Sequence, residues 1–219
     1  LKDRITGRFS CNTICDKDGN VIVVNDSIQS PADMVGKTFA IPSTQSSHYI
    51  LLLEELQKAG LTLDDIQVTQ LAPSEMPSSL ASGAIDGYCV AEPFGAQAVT
   101  NGFGNVLARS DDLWKDSVCC GLIFRTDVIE QNPEAFQTFL EKYQEAGKKL
   151  DKEEATRIAE NYLGQDAKTL ETSLEWISYD DLMITREAYN DLYEKVLSDH
   201  MIENPPTYDD FVYTTDGKE

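Results

Sequence analysis

Apolar positions fall into short alternating or continuous runs over the first two thirds of the chain and into helical stripes over the last third. Phe9 to Ile14 and Val21 to Val24 flank Asp16-Lys17-Asp18-Gly19-Asn20, and Asp-Gly between β-branched runs predicts a hairpin. Thr38-Phe39-Ala40-Ile41-Pro42 predicts a strand. After it, Ile50, Leu53 and Leu56 mark a helix over about 47–59, stopped by Gly60. Ile66 to Leu71 alternates as a strand. Pro73-Ser74 opens a short helix that runs to Gly83, with Pro77 in its first turn. Ile85 to Ala91 is a further strand ending at Glu92-Pro93, and a helix of small residues follows from Phe94 to about Asn101. Val106 to Arg109 and Val118 to Arg125 complete the strand-like runs. This alternation predicts an α/β fold, a mostly parallel sheet with helices on its faces.

From Asn132-Pro133 the period changes to that of helices. Asn132 suits an N-cap and Pro133 a first helical position, and Phe136, Phe139, Leu140, Tyr143 and Ala146 share one face. Further helices are expected from Lys152 to Leu163, closed by Gly164, from Asp166 to Glu175, and from Arg186 to Ser198. The tail from Asn204 to Glu219 reads as an acidic loop. The pattern divides the chain into an opening segment, 1–36, that reads as the end of a larger unit, an α/β middle, 37–124, and a helical part, 125–219.

Charge narrows the candidate partners. Lys and Arg number 18 against 38 Asp and Glu, a net charge of −20 over 219 residues. Such a chain repels phosphate backbones and anionic membrane surfaces, so nucleic acid is not an expected partner. The longest apolar stretch, Ile50 to Leu53, is far too short to span a bilayer. Leu1-Lys2-Asp3-Arg4 shows neither an initiator Met nor the apolar core of a leader peptide. Five cysteines, an odd number, exclude a disulfide scaffold. Cys11 and Cys15 could pair or ligate a metal, but with His48 and His200 as the sole histidines no metal site or cofactor is expected. Cys119-Cys120, inside the apolar run Val118 to Phe124, reads as a pair of buried strand cysteines. Asp16, Asp18 and Asn20 are spaced like calcium ligands but lack the later Gly and the terminal Glu, which leaves a plain turn.

In α/β sheets, ligands bind at the carboxyl ends of parallel strands. The loop Ser43-Thr44-Gln45-Ser46-Ser47-His48 places hydroxyls, an amide and an imidazole just before a helix N-terminus, where exposed N–H groups and the helix dipole favour an anion. One Ser suffices for a cap, so six polar residues in a row point to a ligand loop. Ala72-Pro73-Ser74-Glu75-Met76 is explained by capping alone. Glu92, at a strand's carboxyl end, can accept hydrogen bonds from a ligand or fix the turn by accepting backbone amides. No G-x-S-x-G, H-E-x-x-H, Walker loop or strand-borne G-x-G-x-x-G occurs, and no nucleophile has a local signature, so an enzyme is not expected.

Three stretches carry a family resemblance. They are Gly36 to Ser43 with Ser46 to Leu52, then Met76-Pro77 with Ala81-Ser82-Gly83-Ala84-Ile85-Asp86-Gly87-Tyr88-Cys89-Val90-Ala91-Glu92-Pro93-Phe94-Gly95-Ala96-Gln97-Ala98, and Asn132-Pro133-Glu134-Ala135. Together they resemble the nitrate/sulfonate/taurine-type substrate-binding proteins of ABC importers, over about 30–165. The resemblance implies a type II periplasmic-binding-protein fold with two lobes of mixed or parallel sheet flanked by helices. Segment 1–36 would then be a remnant of an incomplete first lobe, 37–124 the second lobe, and 125–219 the return to the first.

It also implies capture of a small anionic or zwitterionic solute, sulfonate- or taurine-like, for an ABC permease and its ATPase. The location would be extracytoplasmic, with any membrane tether a lipid outside this chain. Ser43, Thr44, Gln45 and Ser46 would donate to the anionic head, His48 would line the pocket or orient the loop, and Glu92 and Phe94 would shape the far wall. Val118-Cys119-Cys120 stands where nitrate-binding members carry a lysine, which disfavours nitrate. The same fold serves binders of thiamine-pyrimidine precursors and a pyrimidine synthase with a cysteine cluster near Cys119-Cys120, so those are the alternative functions.

Overall fold

The computed structural model describes residues 9–213. The strands are β1 (Phe9–Ile14), β2 (Lys17–Asp18), β3 (Asn20–Val24), β4 (Thr38–Ile41), β5 (Gln67–Gln70), β6 (Gly87–Ala91), β7 (Asn105–Arg109), β8 (Gly121–Arg125) and β9 (Ile177–Ser178). The α-helices are α1 (Ser47–Lys58), α2 (Met76–Ala81), α3 (Phe94–Thr100), α4 (Ser110–Leu113), α5 (Thr126–Gln131), α6 (Pro133–Lys149), α7 (Lys152–Leu163), α8 (Ala167–Ser173), α9 (Arg186–Ser198) and α10 (Tyr208–Phe211). They form two compact units. Residues 18–119 and 151–178 make one, the sheet unit; among the described residues, 9–17, 120–150 and 179–213 make the other, the helical unit.

The sheet unit holds five strands in the order β5-β4-β6-β3-β7. Strand β4 runs parallel to β5 and β6, while β3 is antiparallel to β6 and β7. Every residue of β3 is buried, as are Phe39, Ala40 and Ile41 of β4, which is why these segments read as unbroken apolar runs. Val21, Val23, Ala40, Tyr88 and Val90 meet Met76 and Leu80 of α2 and Ala98 of α3 in one cluster. A side chain at Gly87 would come within 2.5 Å of the Phe39 ring, so glycine alone lets β4 and β6 lie this close. Helix α8 returns to this unit from far along the chain, where Thr100 and Thr169 share a 3.2 Å hydrogen bond and Lys168 donates to the Thr100 carbonyl.

In the helical unit, β1 pairs antiparallel with β8, with an irregularity between Cys11 and Thr13. Phe136 and Leu140 of α6 close over Ile129, and Phe124 of β8 meets Phe136 edge-on at 4.9 Å. Tyr189 of α9 packs edge-on against Tyr208 and donates its hydroxyl to the Pro206 carbonyl.

Several expectations change. The hairpin does not form, because Phe9–Ile14 pairs with β8 in one unit and Asn20–Val24 is an inner strand of the other. The Asp-Gly signal still marks a sharp turn: Asp18 and Gly19 take φ of 60° and 70°, and a side chain at Gly19 would meet Ile177 at 2.7 Å. Residues 18–36 group with the sheet unit, as do α7 and α8, and the compact units divide at 17/18, 119/120, 150/151 and 178/179. Cys119 and Cys120 precede β8, half-buried and exposed respectively, because the chain passes between units there. Cys11 and Cys15 are both thiols. The tail contains α10, begun by Thr207, whose hydroxyl donates to Asp210. The reading of Leu1 to Arg4, and of the tail beyond 213, lies outside the described residues.

Candidate functional site

Strands β4, β5 and β6 are parallel neighbours, so the loops that leave them share one edge of the sheet. The antiparallel β3 brings its first residue to that edge, with Asn20 opposite Ala91. Strand β7 brings its last, with Arg109 opposite Val21.

The loop after β4 and the first turn of α1 carry five of the seven candidates. Ser46 occupies the N-cap of α1 with extended backbone, yet its hydroxyl makes no cap bond. It donates instead to the Ser43 carbonyl at 2.7 Å, while the Ser43 hydroxyl accepts the Gln45 amide at 3.1 Å. Thr44 and Gln45 are exposed, and Ser43 and Ser46 are half-buried. The loop therefore holds its own shape with its hydroxyls, and the Ser46 side chain does not cap the first turn of α1, where the helix dipole is positive. His48 is 8% exposed, and neither ring nitrogen has a hydrogen-bond partner. Burial pushes its pKa down to about 4, so the ring is neutral at pH 7 and adds no charge to the loop.

Glu92 and Phe94 start α3 on the adjacent strand and face inward. Both Glu92 oxygens accept the Ala96 amide, at 3.2 and 3.1 Å, and Ser173 of α8 adds a further hydrogen bond. Burial raises the Glu92 pKa to about 7 against the pull of these bonds. Phe94 packs on the apolar cluster, and its carbonyl accepts the Tyr88 hydroxyl at 2.9 Å. Of the two roles open to Glu92, the structure gives the capping one a partner.

Four further polar residues gather at this edge. The Ser47 hydroxyl donates to Cys119 Sγ at 3.4 Å, and the Cys119 thiol donates to Asn20 Oδ1 at 3.4 Å. The Asn20 amide in turn donates to the Ser110 hydroxyl at 3.3 Å. Asn20 and Ser110 are 2% and 1% exposed, a sizeable desolvation for neutral polar groups that this chain of bonds offsets. One signal pointed to Asn20, an amide heading the otherwise apolar run Asn-Val-Ile-Val-Val. Nothing local joins it to Cys119, 99 residues away. Arg109 is occupied by Asp111 at 3.2 Å and Asp112 at 3.8 Å, so the donors at this edge are chiefly neutral hydroxyls, amides and a helix end.

Residues 15–164, more than half of the chain, match the model of the NMT1-like family. The chain belongs to that family. A binding protein of Brucella abortus (strain 2308) is a relative of this NMT1-like chain, 30% identical over 155 residues; the match covers 69% of this chain and 48% of the relative, so the chain spans about half of that relative's length. The nitrate/nitrite binding protein NrtA of Nostoc is 31% identical over 129 residues, 58% of this chain and 29% of its own length.

Among solved structures, the ligand-binding component of an ABC-type import system from Staphylococcus aureus, with zinc bound, superposes with a TM-score of 0.89 at 30% identity, over 98% of this chain and 75% of that one. The periplasmic aliphatic sulphonate binding protein SsuA of Escherichia coli gives 0.74 at 20% identity, over 93% of this chain and 69% of that one, a likeness of fold. The fold is thus the type II periplasmic-binding-protein fold, with a mixed sheet flanked by helices in the sheet unit. Among the described residues, no group of three or more His, Cys, Asp or Glu could hold a metal ion.

Proposed function

We propose that this NMT1-like chain is the solute-capturing part of an ABC importer, working outside the cytoplasm, and that it binds a small anionic or zwitterionic solute of the sulfonate or taurine kind. The observation that carries the proposal is the start of α1, where Ser43, Thr44, Gln45 and Ser46 precede a helix N-terminus that its own N-cap residue, Ser46, does not cap with its side chain. An oxyanion there accepts backbone N–H and hydroxyl hydrogen bonds and sits at the positive end of the helix dipole. His48, neutral and buried in the first turn of α1, would line the pocket or orient the loop. Glu92 and Phe94 bound the site from the next strand. Ser47, Cys119 and Asn20 continue the wall with neutral donors.

The net charge of −20 opposes an anion at long range, but the Debye length at physiological salt is only about 8 Å, so the local helix end decides. A permease and an ATPase are the partners such a carrier serves. Support also comes from relatives that are binding proteins and from the neutral donor set. The alternative of a cationic pyrimidine would need the Glu92 carboxylate, which already accepts the Ala96 amide.

Isothermal calorimetry of the protein against taurine, alkanesulfonates, nitrate, bicarbonate and a thiamine-type pyrimidine tests the reading. Saturable binding of a sulfonate, lost on combining Ser43→Ala with Ser46→Ala, is expected. Binding of the pyrimidine alone, or of none of them, overturns the assigned solute class.

A further inference from the structure

The register of the β1–β8 pair brings together two cysteines that lie far apart in sequence. Ile14 is opposite Gly121, and the next step of the ladder sets Cys15 opposite Cys120, joined by a 3.1 Å hydrogen bond from the Cys15 amide to the Cys120 carbonyl. Directly opposed residues on antiparallel strands have Cα atoms about 4.5–5.5 Å apart. That lies inside the range of about 4.4–6.8 Å that a disulfide spans. Cys15 is half-buried and Cys120 exposed, so an oxidant can reach the pair. The other thiols are differently placed. Cys11 is buried and donates to the Thr13 carbonyl, Cys89 is buried in the sheet unit, and Cys119 is hydrogen-bonded to Ser47 and Asn20.

We infer that Cys15 and Cys120 form a cross-strand disulfide when the protein meets a small-molecule disulfide such as oxidised glutathione. One cysteine thiolate attacks the small disulfide, forming a mixed disulfide and expelling one glutathione thiolate. The second cysteine then attacks the protein sulfur of that bond and expels the other. One S–S bond forms in the protein and one breaks in glutathione. The protein gives up two electrons and two protons, which leave as two molecules of reduced glutathione. The position has a consequence for the fold. Residue 15 lies just before the chain leaves the helical unit at 17/18, and residue 120 is the first after it returns at 119/120. The bond would clasp the end of β1 and the start of β8 where both strands pass to the sheet unit, and so restrain two of the four connections between units.

Trypsin leaves residues 9–17 on one peptide and 116–125 on another, so Cys11 and Cys119 would blur the assignment. The test is therefore made on the full chain carrying Cys11→Ser and Cys119→Ser, oxidised with excess oxidised glutathione under native conditions, alkylated and digested. The two peptides joined, lighter than their sum by two hydrogens, are expected, together with a higher thermal unfolding midpoint that a reductant reverses. Adding Cys120→Ser should abolish the joined species. The two peptides recovered separately, each glutathionylated or alkylated, overturn the inference. Should the double variant not fold, the same oxidation of the unaltered chain, with fragmentation of the joined peptide, locates the bond. A link through Cys11 or Cys119 there also overturns it.

Discussion

Two loops leave adjacent parallel strands at the same edge of the sheet, and each begins a helix. Ser43 to His48 follows β4 into α1, and Glu92-Pro93 follows β6 into α3. Both are polar, and both stand where α/β folds place ligands. The difference lies in what each does with its own helix. Glu92 turns its carboxylate onto the Ala96 amide, fills the first turn of α3 and is desolvated for it. Ser46 bonds to the Ser43 carbonyl and makes no side-chain bond to the first turn of α1. The loop before α1 keeps the Ser43 hydroxyl proton and the first-turn amides clear of Ser46, and that is the ground for proposing it as the ligand loop. Polarity and position alone do not distinguish the two.

The largest break in this comparison should come from Gly95→Ala. The added methyl would collide with Val21 Cγ1 and lie 2.5 Å from Glu92 Oε1, pushing α3 off the sheet. Overpacking of this kind costs about 1–3 kcal/mol, and the upper end is expected in urea unfolding.

The next effect is a pair of opposed pH dependences. Glu92 has its pKa raised from 4.5 to about 7, so the unfolded chain ionises first and this site loses stability as pH rises from 4.5 to 7. His48 has its pKa lowered from 6.5 to about 4, so the unfolded chain protonates first and stability is lost as pH falls from 6.5 to 4. Between 4.5 and 6.5 the two slopes oppose each other and largely cancel. Glu92→Gln should unmask the His48 slope and stabilise the protein at pH 8, by on the order of 2 kcal/mol once partial solvent screening of the carboxylate is allowed for. His48→Leu should unmask the opposite slope. Unfolding midpoints measured across pH 4–8 for the two variants check both signs, and parallel profiles would contradict them.

The smallest effect on stability belongs to Ser46→Ala. Its hydroxyl makes one hydrogen bond inside the loop and none to the helix, so the loss should be at most about 1 kcal/mol in the same unfolding assay. A loss of about 2 kcal/mol would mean that Ser46 caps α1 after all.

Much of the fold was legible in the chain. The helices α1, α6, α7 and α9 follow stripes and caps that are local, such as Asp151 accepting the Glu154 amide and Gly164 at φ 64°. What was not legible is non-local. Phe9–Ile14 and Asn20–Val24 carry a good hairpin signal, but their partners are β8, β6 and β7, and no local pattern could name them. The loop before α1 was readable as a cluster of hydroxyls. The inward turn of Glu92 was not, because it depends on the small residue at Gly95 and on Ser173 arriving with α8. The bonds among Ser47, Cys119, Asn20 and Ser110 span the sheet unit for the same reason.

The most direct test sets the two loops against each other in one titration. Taurine or an alkanesulfonate is titrated by calorimetry into the unaltered protein, into the variant combining Ser43→Ala with Ser46→Ala, and into Glu92→Gln. The Ser43 hydroxyl would donate to the anion, while Ser46 holds the loop through the Ser43 carbonyl. One hydrogen bond to a charged group is worth about 1.5–3 kcal/mol, above the ~1.4 kcal/mol that corresponds to tenfold in affinity, so the hydroxyl variant should bind at least tenfold more weakly. Glu92→Gln should bind nearly as the unaltered protein does. The reverse pattern, with affinity kept by the hydroxyl variant and lost with Glu92, would contradict the assignment of the solute to the start of α1.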